Sequence, residues 1–172
     1  MLITGATGGT GGFAVQLARL AGAHVVASTG DPAAHGDALR ALGADEVVAG
    51  AANVGEPVHG VLDMVGGPEL VTAFDRLADG GTLVAVGRVM GKGEDFAWGA
   101  LSGNRGHDRS LVTFYLPAES AVAPDLTWLA TKAASGVLRP HIAWRGPWDK
   151  AAEAVEALLG RRLHGKAVLD IT

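Results

Sequence analysis

Met1-Leu-Ile-Thr-Gly-Ala-Thr-Gly-Gly-Thr-Gly-Gly-Phe-Ala-Val-Gln-Leu-Ala18 opens the chain. A short apolar run enters a glycine-rich turn, and the turn opens into an amphipathic helix. That order of parts builds a dinucleotide phosphate site. Backbone N–H groups at the helix start face the pyrophosphate, and the helix dipole favours its negative charge. Small residues at Ala6, Gly8 and Gly11 let the backbone turn tightly, approach the phosphate and pack helix against strand. The glycine pattern has its strand before and its helix after, which is the context the motif requires. The candidate cofactor contacts here are Ala6, Thr7, Gly8, Gly9, Thr10 and Gly11; the competing reading is a turn that serves packing alone. Only Leu2 and Ile3 precede the turn, against about five or six residues in a typical strand. That shortness points to a fragment or to one half of a larger unit.

The 172 residues correspond to one domain. A hydrophobic share of 48% and a mean hydropathy of +0.25 supply a substantial core. Charged residues make up 19% and the net charge is −4, with no basic runs, which argues against nucleic acid as the main partner. No apolar run reaches the ~18–20 residues of a membrane span, so no membrane partner is expected. The start lacks the basic region of a signal peptide. Cysteine is absent, which removes disulfides, thiolate zinc sites and cysteine nucleophiles. The expected location is the cytoplasm.

Short apolar runs alternate with helix-period segments, the pattern of a parallel sheet covered on both faces. The expected fold class is α/β, a doubly wound parallel sheet of about six strands in three layers. Strands are expected at Leu2–Thr4, His24–Ser28, Glu46–Val48, Gly60–Val65, Thr82–Val86 and Leu111–Leu116. Helices are expected from about Gly11 to Ala21, from Pro32 (with Asp31 as cap) to Leu42, and from the turn Gly66-Gly67-Pro68 to near Ala78. Further helices follow at Asp125–Ser135 and Asp149–Leu159, with an extended stretch at Leu138–Trp144 and a last strand at Ala167–Ile171. A glycine-rich loop, Gly87–Arg109, is long enough to be functional, and the part around Trp98 is a candidate lid.

Six segments, in this order, carry a family resemblance: Ile3-Thr-Gly-Ala-Thr-Gly-Gly-Thr-Gly11, Val15-Gln-Leu-Ala-Arg19, Leu42-Gly-Ala-Asp-Glu-Val47, Val61-Leu-Asp-Met-Val-Gly-Gly67, Gly80-Gly-Thr-Leu-Val-Ala-Val-Gly87 and Gly165-Lys-Ala-Val-Leu169. The chain resembles the cofactor half of the medium-chain dehydrogenase/reductase superfamily, on its quinone oxidoreductase-like, zinc-binding dehydrogenase branch. The resemblance implies a six-stranded Rossmann sheet and NADP(H)-dependent reduction of a quinone, enone or other activated carbonyl without catalytic zinc. It also implies a homodimer that pairs the last sheet strands, here Leu111–Leu116. Family members carry an N-terminal domain of roughly one hundred residues or more; no such domain stands in this sequence. The resemblance therefore divides the chain into a dinucleotide-binding domain over residues 1–136 and a segment over 137–172 that in the family packs on the N-terminal domain. Leu138–Trp144 and Ala167–Ile171 are expected to lack sheet partners and, with Trp144 and Trp148, to leave apolar surface and open strand edges. An excised piece, a half that meets a partner chain, and self-association over that face all remain open.

Cofactor choice turns on the end of the second strand. NAD sites place an acid there, about twenty residues past the glycines, on the ribose 2′-hydroxyl. This chain has Ser28, Thr29 and Gly30. Two hydroxyls without a carboxylate suit a 2′-phosphate, so NADP(H) is the expected cofactor, with Ser28 and Thr29 as contacts. By resemblance a lysine or arginine assists; His35 falls near that place and Arg40 lies further on. Asp31 reads as a helix cap before Pro32. Met64, Val65 and Gly66, with Gly87 and Arg88, end two strands and by resemblance touch the nicotinamide side. Asp63 reads as a buried hydrogen-bonding residue. Phe114–Leu116 either wall the nicotinamide pocket or pack the core. Six histidines show no metal-binding helix pair, and no metal is expected; His107-Asp108 reads as a solvated loop. The turn also fits short-chain dehydrogenases, but their Tyr-x-x-x-Lys pair is missing: the single tyrosine, Tyr115, is followed four residues on by Glu119. No catalytic residue is assigned. The alternative function is a non-enzymatic NADP-binding sensor or partner subunit.

Overall fold

The computed structural model describes residues 1–103 and 106–171. Six strands form one sheet in the order β3-β2-β1-β4-β5-β6: β1 Leu2–Ile3, β2 Val26–Thr29, β3 Glu46–Ala49, β4 Val58–Asp63, β5 Leu77–Ala85 and β6 Ser110–Thr113. Every neighbouring pair is parallel. This is the doubly wound Rossmann order. Side chains alternate across the sheet, so the two residues of β1 serve different cores. Leu2 joins Val61, Leu83, Leu70 and Phe74 on the face covered by α3 (Gly67–Asp75). Ile3 joins Val15, Ala18, Ala27 and Leu39 on the face covered by α1 (Gly9–Leu20) and α2 (Pro32–Ala41).

Several boundaries differ from the sequence expectation, each for a local reason. Helix α1 begins at Gly9, because Gly12 N–H already bonds Gly8 C=O at 2.9 Å. Strand β5 begins at Leu77, which pairs with Val58; the register then shifts and resumes at Gly60 with Thr82. The intervening Ala78-Asp-Gly-Gly81 therefore makes an irregularity within a strand. Strand β6 stops at Thr113, and a 3-10 turn follows at Leu116–Ala118, where Pro117 offers no N–H to a ladder. Among the described residues, no helix is long and apolar enough to cross a membrane.

After α4 (Ala123–Ala134) come β7 (Ile142–Pro147), α5 (Ala151–Leu159) and β8 (Lys166–Asp170). The expectation that these last strands lack partners is corrected: β7 and β8 pair with each other in parallel, Arg145 opposite Val168 and Gly146 opposite Leu169. The Arg145 guanidinium locks the far end through two-point bonds to Asp170, at 2.8 Å from Nη2 and 3.1 Å from Nε. Strand, helix and parallel strand make a βαβ unit, which satisfies its inner backbone groups locally.

One buried amide ties the chain after α4 to the main sheet. Gln16, on α1, donates from Nε2 to Arg139 C=O at 3.0 Å, and its Oε1 accepts Arg139 N–H at 2.8 Å. Leu138 beside it is fully buried. Replacing Gln16 with leucine leaves both Arg139 backbone groups without these partners, at a cost of about 1–3 kcal/mol. The expected result is a lower urea midpoint and faster amide exchange at Arg139, with the sheet's circular dichroism unchanged.

Candidate functional site

Thr4 directly follows β1 and sets the floor of the site. Its hydroxyl donates to Asp63 Oδ1 at 2.6 Å and accepts Met64 N–H at 3.1 Å. Asp63 Oδ2 accepts Gly66 N–H at 2.8 Å, and Asp63 C=O accepts Val86 N–H at 2.7 Å. Asp63 is wholly buried, so its role is structural, as its place in an apolar strand indicates. These bonds bring the carboxyl ends of β1, β4 and β5 together, where ligands bind in open α/β sheets.

The glycine turn stands on this floor. Gly5 has φ +60°, and a Cβ there would meet Val65 Cγ2 at 3.2 Å. A Cβ on Gly11 would overlap Gly5 C=O and lie 2.7 Å from Ala6 Cα, so only glycine lets the helix start this close. Ala6 N–H bonds Ser28 C=O at 3.1 Å, which joins the turn to the end of β2. Gly8 is the N-cap of α1, yet no side chain caps the helix and its first turn holds no acid. The first N–H groups of α1 are thus left for a ligand. Lys166 of β8 reaches this point: a Cβ on Gly9 would overlap its ammonium and lie 2.6 Å from Cδ.

Across the crevice, a Cβ on Gly87 would sit 2.7 Å from Met64 C=O, and one on Gly66 would sit 3.1 Å from Arg88 Cα. Met64, Val65, Gly66, Gly87 and Arg88 are therefore contiguous with the glycine turn. Arg88 Nη2 pairs with Glu94 Oε2 at 2.7 Å, while Glu94 Oε1 accepts Gly67 N–H at the start of α3, at 3.0 Å. The backbone bond from Gly67, and then the Arg88 charge, hold the Glu94 carboxyl below its ordinary range against partial desolvation.

The long loop after β5 is fastened over α3. Met90 N–H bonds Val65 C=O at 3.0 Å, the Phe96 ring meets Phe74 edge-on at 5.7 Å, and the Arg109 guanidinium lies 4.7 Å from the Phe74 centroid. Trp98, the candidate lid residue, points fully into solvent at 102% exposure. His107 pairs with Asp79 at 3.3 Å as well as with Asp108 at 3.4 Å, which anchors the loop to β5.

At the end of β2, Ser28 and Thr29 are both buried. The Ser28 hydroxyl donates to Glu69 Oε1 at 3.1 Å, and Ala51 N–H donates to the same oxygen at 2.8 Å. Thr29 Oγ1 accepts Asp31 N–H at 3.4 Å. Beyond them Gly30 is open: a Cβ there meets nothing within 4 Å. Asp31 caps α2 by accepting Ala34 N–H at 3.0 Å. Phe114, Tyr115 and Leu116 are exposed, at 40%, 70% and 60%, so packing the core of this chain is not their role. Among the described residues, no group of three histidine, aspartate or glutamate side chains could hold a metal.

Sequence reasoning missed Glu69, Glu94 and Lys166, because each acts on a distant segment. Gln16 had one local signal, an amide among Val15, Leu17 and Ala18.

This fold and turn define a dinucleotide-binding α/β domain. Residues 42–169 match the zinc-binding dehydrogenase family model, and the chain belongs to that family. It is 40% identical over 102 residues to the quinone oxidoreductase-like YhfP of Bacillus subtilis (strain 168), covering 55% of this chain and 30% of YhfP. It is 28% identical over 178 residues to the chloroplastic quinone-oxidoreductase homolog of Spinacia oleracea, covering 99% and 52%. Among solved structures, AibC superposes with a TM-score of 0.84 at 29% identity, over 99% of this chain and 48% of AibC. The structure of YhfP with NAD bound gives 0.73 at 28%, over 98% and 54%. The chain thus spans about half the length, or less, of these relatives.

Glu94→Gln removes the charge that holds Arg88. The expected result is faster amide exchange and faster proteolysis across 88–96. In the wild type the pairing is present above the ordinary glutamate range and is lost as pH falls through the lowered Glu94 value, so the loop should open at acid pH. A loop equally protected in both proteins at neutral pH contradicts the assignment.

Proposed function

We propose that this chain is the NADP(H)-binding half of a zinc-independent oxidoreductase that reduces a quinone, enone or other activated carbonyl by hydride transfer. The observation that carries the reading is the uncapped, acid-free start of α1 within the glycine turn. Its free N–H groups, the helix dipole and the Lys166 ammonium suit a pyrophosphate. In the turn, Ala6 to Gly11 cradle the phosphates. Met64 to Gly66, with Gly87 and Arg88, border the nicotinamide half. When bound, the nicotinamide supplies the hydride, and these residues bind and orient it.

NADP(H) is favoured over NAD(H) by the end of β2. Ser28, Thr29 and Gly30 bring no carboxylate, and the space over Gly30 is open. The carboxylates nearby are engaged: Glu69 accepts from Ser28 and Ala51, and Asp31 caps α2. The names of the relatives support the quinone or enone substrate class. The relatives' greater length supports a further domain as the substrate-binding part, with residues 137–172 turned toward it and residues 1–136 holding the cofactor.

The test is calorimetric titration of the purified chain with NADPH and, separately, NADH. NADPH should bind more tightly. Gly8→Val should abolish binding of both, since its side chain fills the phosphate cradle. Gly30→Asp should shift the preference toward NADH by roughly tenfold, equivalent to about 1.4 kcal/mol, because a carboxylate repels the 2′-phosphate and accepts the free hydroxyl. Full affinity in Gly8→Val would remove the phosphate-turn argument. Binding without quinone or enone turnover, even with a substrate domain supplied, would favour the sensor reading.

The same proposal includes a homodimer through Leu111–Leu116. Strand β6 is the sheet edge and its residues are exposed. Phe114 N–H bonds Ala85 C=O on β5, so by alternation the N–H groups of Leu111 and Thr113 point outward. Leu111→Pro removes an outward donor without touching the inner ladder. The chain should elute as a dimer in size-exclusion chromatography and the variant as a monomer; identical elution would count against this edge. Association over the face that carries Leu138–Trp144 and Ala167–Ile171 is the competing arrangement, and a dimer insensitive to Leu111→Pro would favour it.

A further inference from the structure

We infer that anion binding at the glycine turn controls how tightly the C-terminal unit β7–α5–β8 docks on α1, and that Lys166 couples the two. The inference rests on the cofactor site proposed above and adds a regulation to it. The unit is tied to α1 at two places. At one, Gln16 bonds both backbone groups of Arg139, at 3.0 and 2.8 Å. At the other, Lys166 lies against Gly9: a Cβ on Gly9 would overlap its Nζ and Cε and lie 2.6 Å from its Cδ. Gly9 and Gln16 are seven residues apart, nearly two helical turns. They share one face of α1, about 10 Å apart along its axis.

The two attachments move as one. Lys166 N–H bonds His141 C=O at 2.8 Å, two residues beyond Arg139. Gly165 has φ +130°, and a Cβ there would overlap the His141 ring and lie 2.6 Å from its carbonyl oxygen. Only glycine lets β8 start this close to the segment that Gln16 holds. The far end of the ladder is closed by the Arg145–Asp170 pair at 2.8 Å. A shift of Lys166 is therefore a shift of Arg139.

The Lys166 attachment is unfavourable in the free chain. A helix N-terminus carries partial positive charge, and a cation beside it is disfavoured. Helix α1 has no side-chain cap and no acid in its first turn, so the helix offers nothing to offset the ammonium. Of the unit's acids, Asp170 pairs with Arg145 and Glu153 with Lys150; among the described residues none pairs with Lys166. Positive end faces positive side chain. A pyrophosphate on the first N–H groups of α1 reverses the sign, because helix end and ammonium both attract it. Docking is penalised without the nucleotide and favoured with it. The coupling is reciprocal: the docked unit raises nucleotide affinity by the factor by which the nucleotide favours docking. NADPH and NADH share the pyrophosphate, so this coupling is blind to the 2′-phosphate and separate from the choice made at β2.

The test is amide exchange of the full chain at low salt, free and saturated with NADPH, NADH or inorganic pyrophosphate, with binding followed by calorimetry. Each ligand should slow exchange at Arg139 at least about fivefold, the lower end of typical coupling between sites. Lys166→Met keeps the stem and removes the charge. It should slow Arg139 exchange in the free chain, since the repulsion is gone. It should also weaken both nucleotides about fivefold and remove most of the slowing they cause. A lysine with a packing role alone would give the opposite in the free chain, faster exchange on substitution, and that result overturns the coupling. Lys166→Arg should restore affinity and slowing together. Exchange at Arg139 that ignores saturating ligand, or that slows equally in wild type and Lys166→Met, also overturns the coupling and leaves the glycine turn standing as the cofactor site. If NADPH, NADH and pyrophosphate all fail to bind the wild type, the cofactor reading itself falls and the coupling falls with it.

Discussion

The hydroxyl of Thr4 gives and receives at once, and the shape of the crevice depends on it. A buried carboxylate is costly unless its oxygens are bonded, and Asp63 is fully buried. Thr4 donates to one of its oxygens, and Gly66 N–H satisfies the other. The same Thr4 oxygen accepts Met64 N–H. Valine has the same outline but can do neither, so the turn after β1 and the turn after β4 would each hold an unpaired polar group. Asp63 also bonds Val86 and Gly87 through its carbonyl. One residue thus aligns three strand ends, and the glycine turn inherits its position from a network lying beneath it.

A second tie joins segments more than a hundred residues apart. The Gln16 amide mimics a strand neighbour for Arg139, bonding both its N–H and its C=O, and Leu138 is buried alongside. From that anchor the chain runs into β7, α5 and β8, and the β7–β8 ladder returns Lys166 to the start of α1 and His164 to His35. The glycine turn carries no charged side chain of its own. The basic groups beside it come from this distant unit, so the electrostatics of the candidate site depend on the docking that Gln16 secures.

Much of this was legible in the sequence where the determining forces are local. Buried parallel strands read as apolar runs bounded by turn residues, which located the six strands of the main sheet. Asp31-Pro32 announced its helix because a cap and a fixed φ act within one turn. The glycine turn was readable because strand, turn and helix are contiguous. What escaped was non-local. Ala78-Asp-Gly-Gly81 looks like a terminator, and nothing near it reveals that Leu77 pairs with Val58. The pairing of β7 with β8 follows from two segments finding each other. Glu69 on Ser28, Glu94 on Arg88 and Lys166 on Gly9 are matters of side-chain reach across the fold, which spacing along the chain does not encode.

The distribution of apolar surface separates what this chain completes from what it leaves open. On the crevice side the Asp63 and Glu94 carboxylates are bonded, the first N–H groups of α1 are left open, and both cores are closed. On the flank, α4 has no buried residue, although Leu126, Leu129, Ala130 and Ala133 repeat at helical spacing. With Phe13, Leu17 and Leu138 these residues line an apolar groove of about 670 Å³. An apolar helix face draws most of its stability from what packs on it, so α4 contributes little until the groove is filled. The Rossmann sheet needs no such help, since its strands already bury Leu2, Ile3, Val61 and Leu83. The two cores of the sheet are therefore complete within this chain, while the α4 face is not.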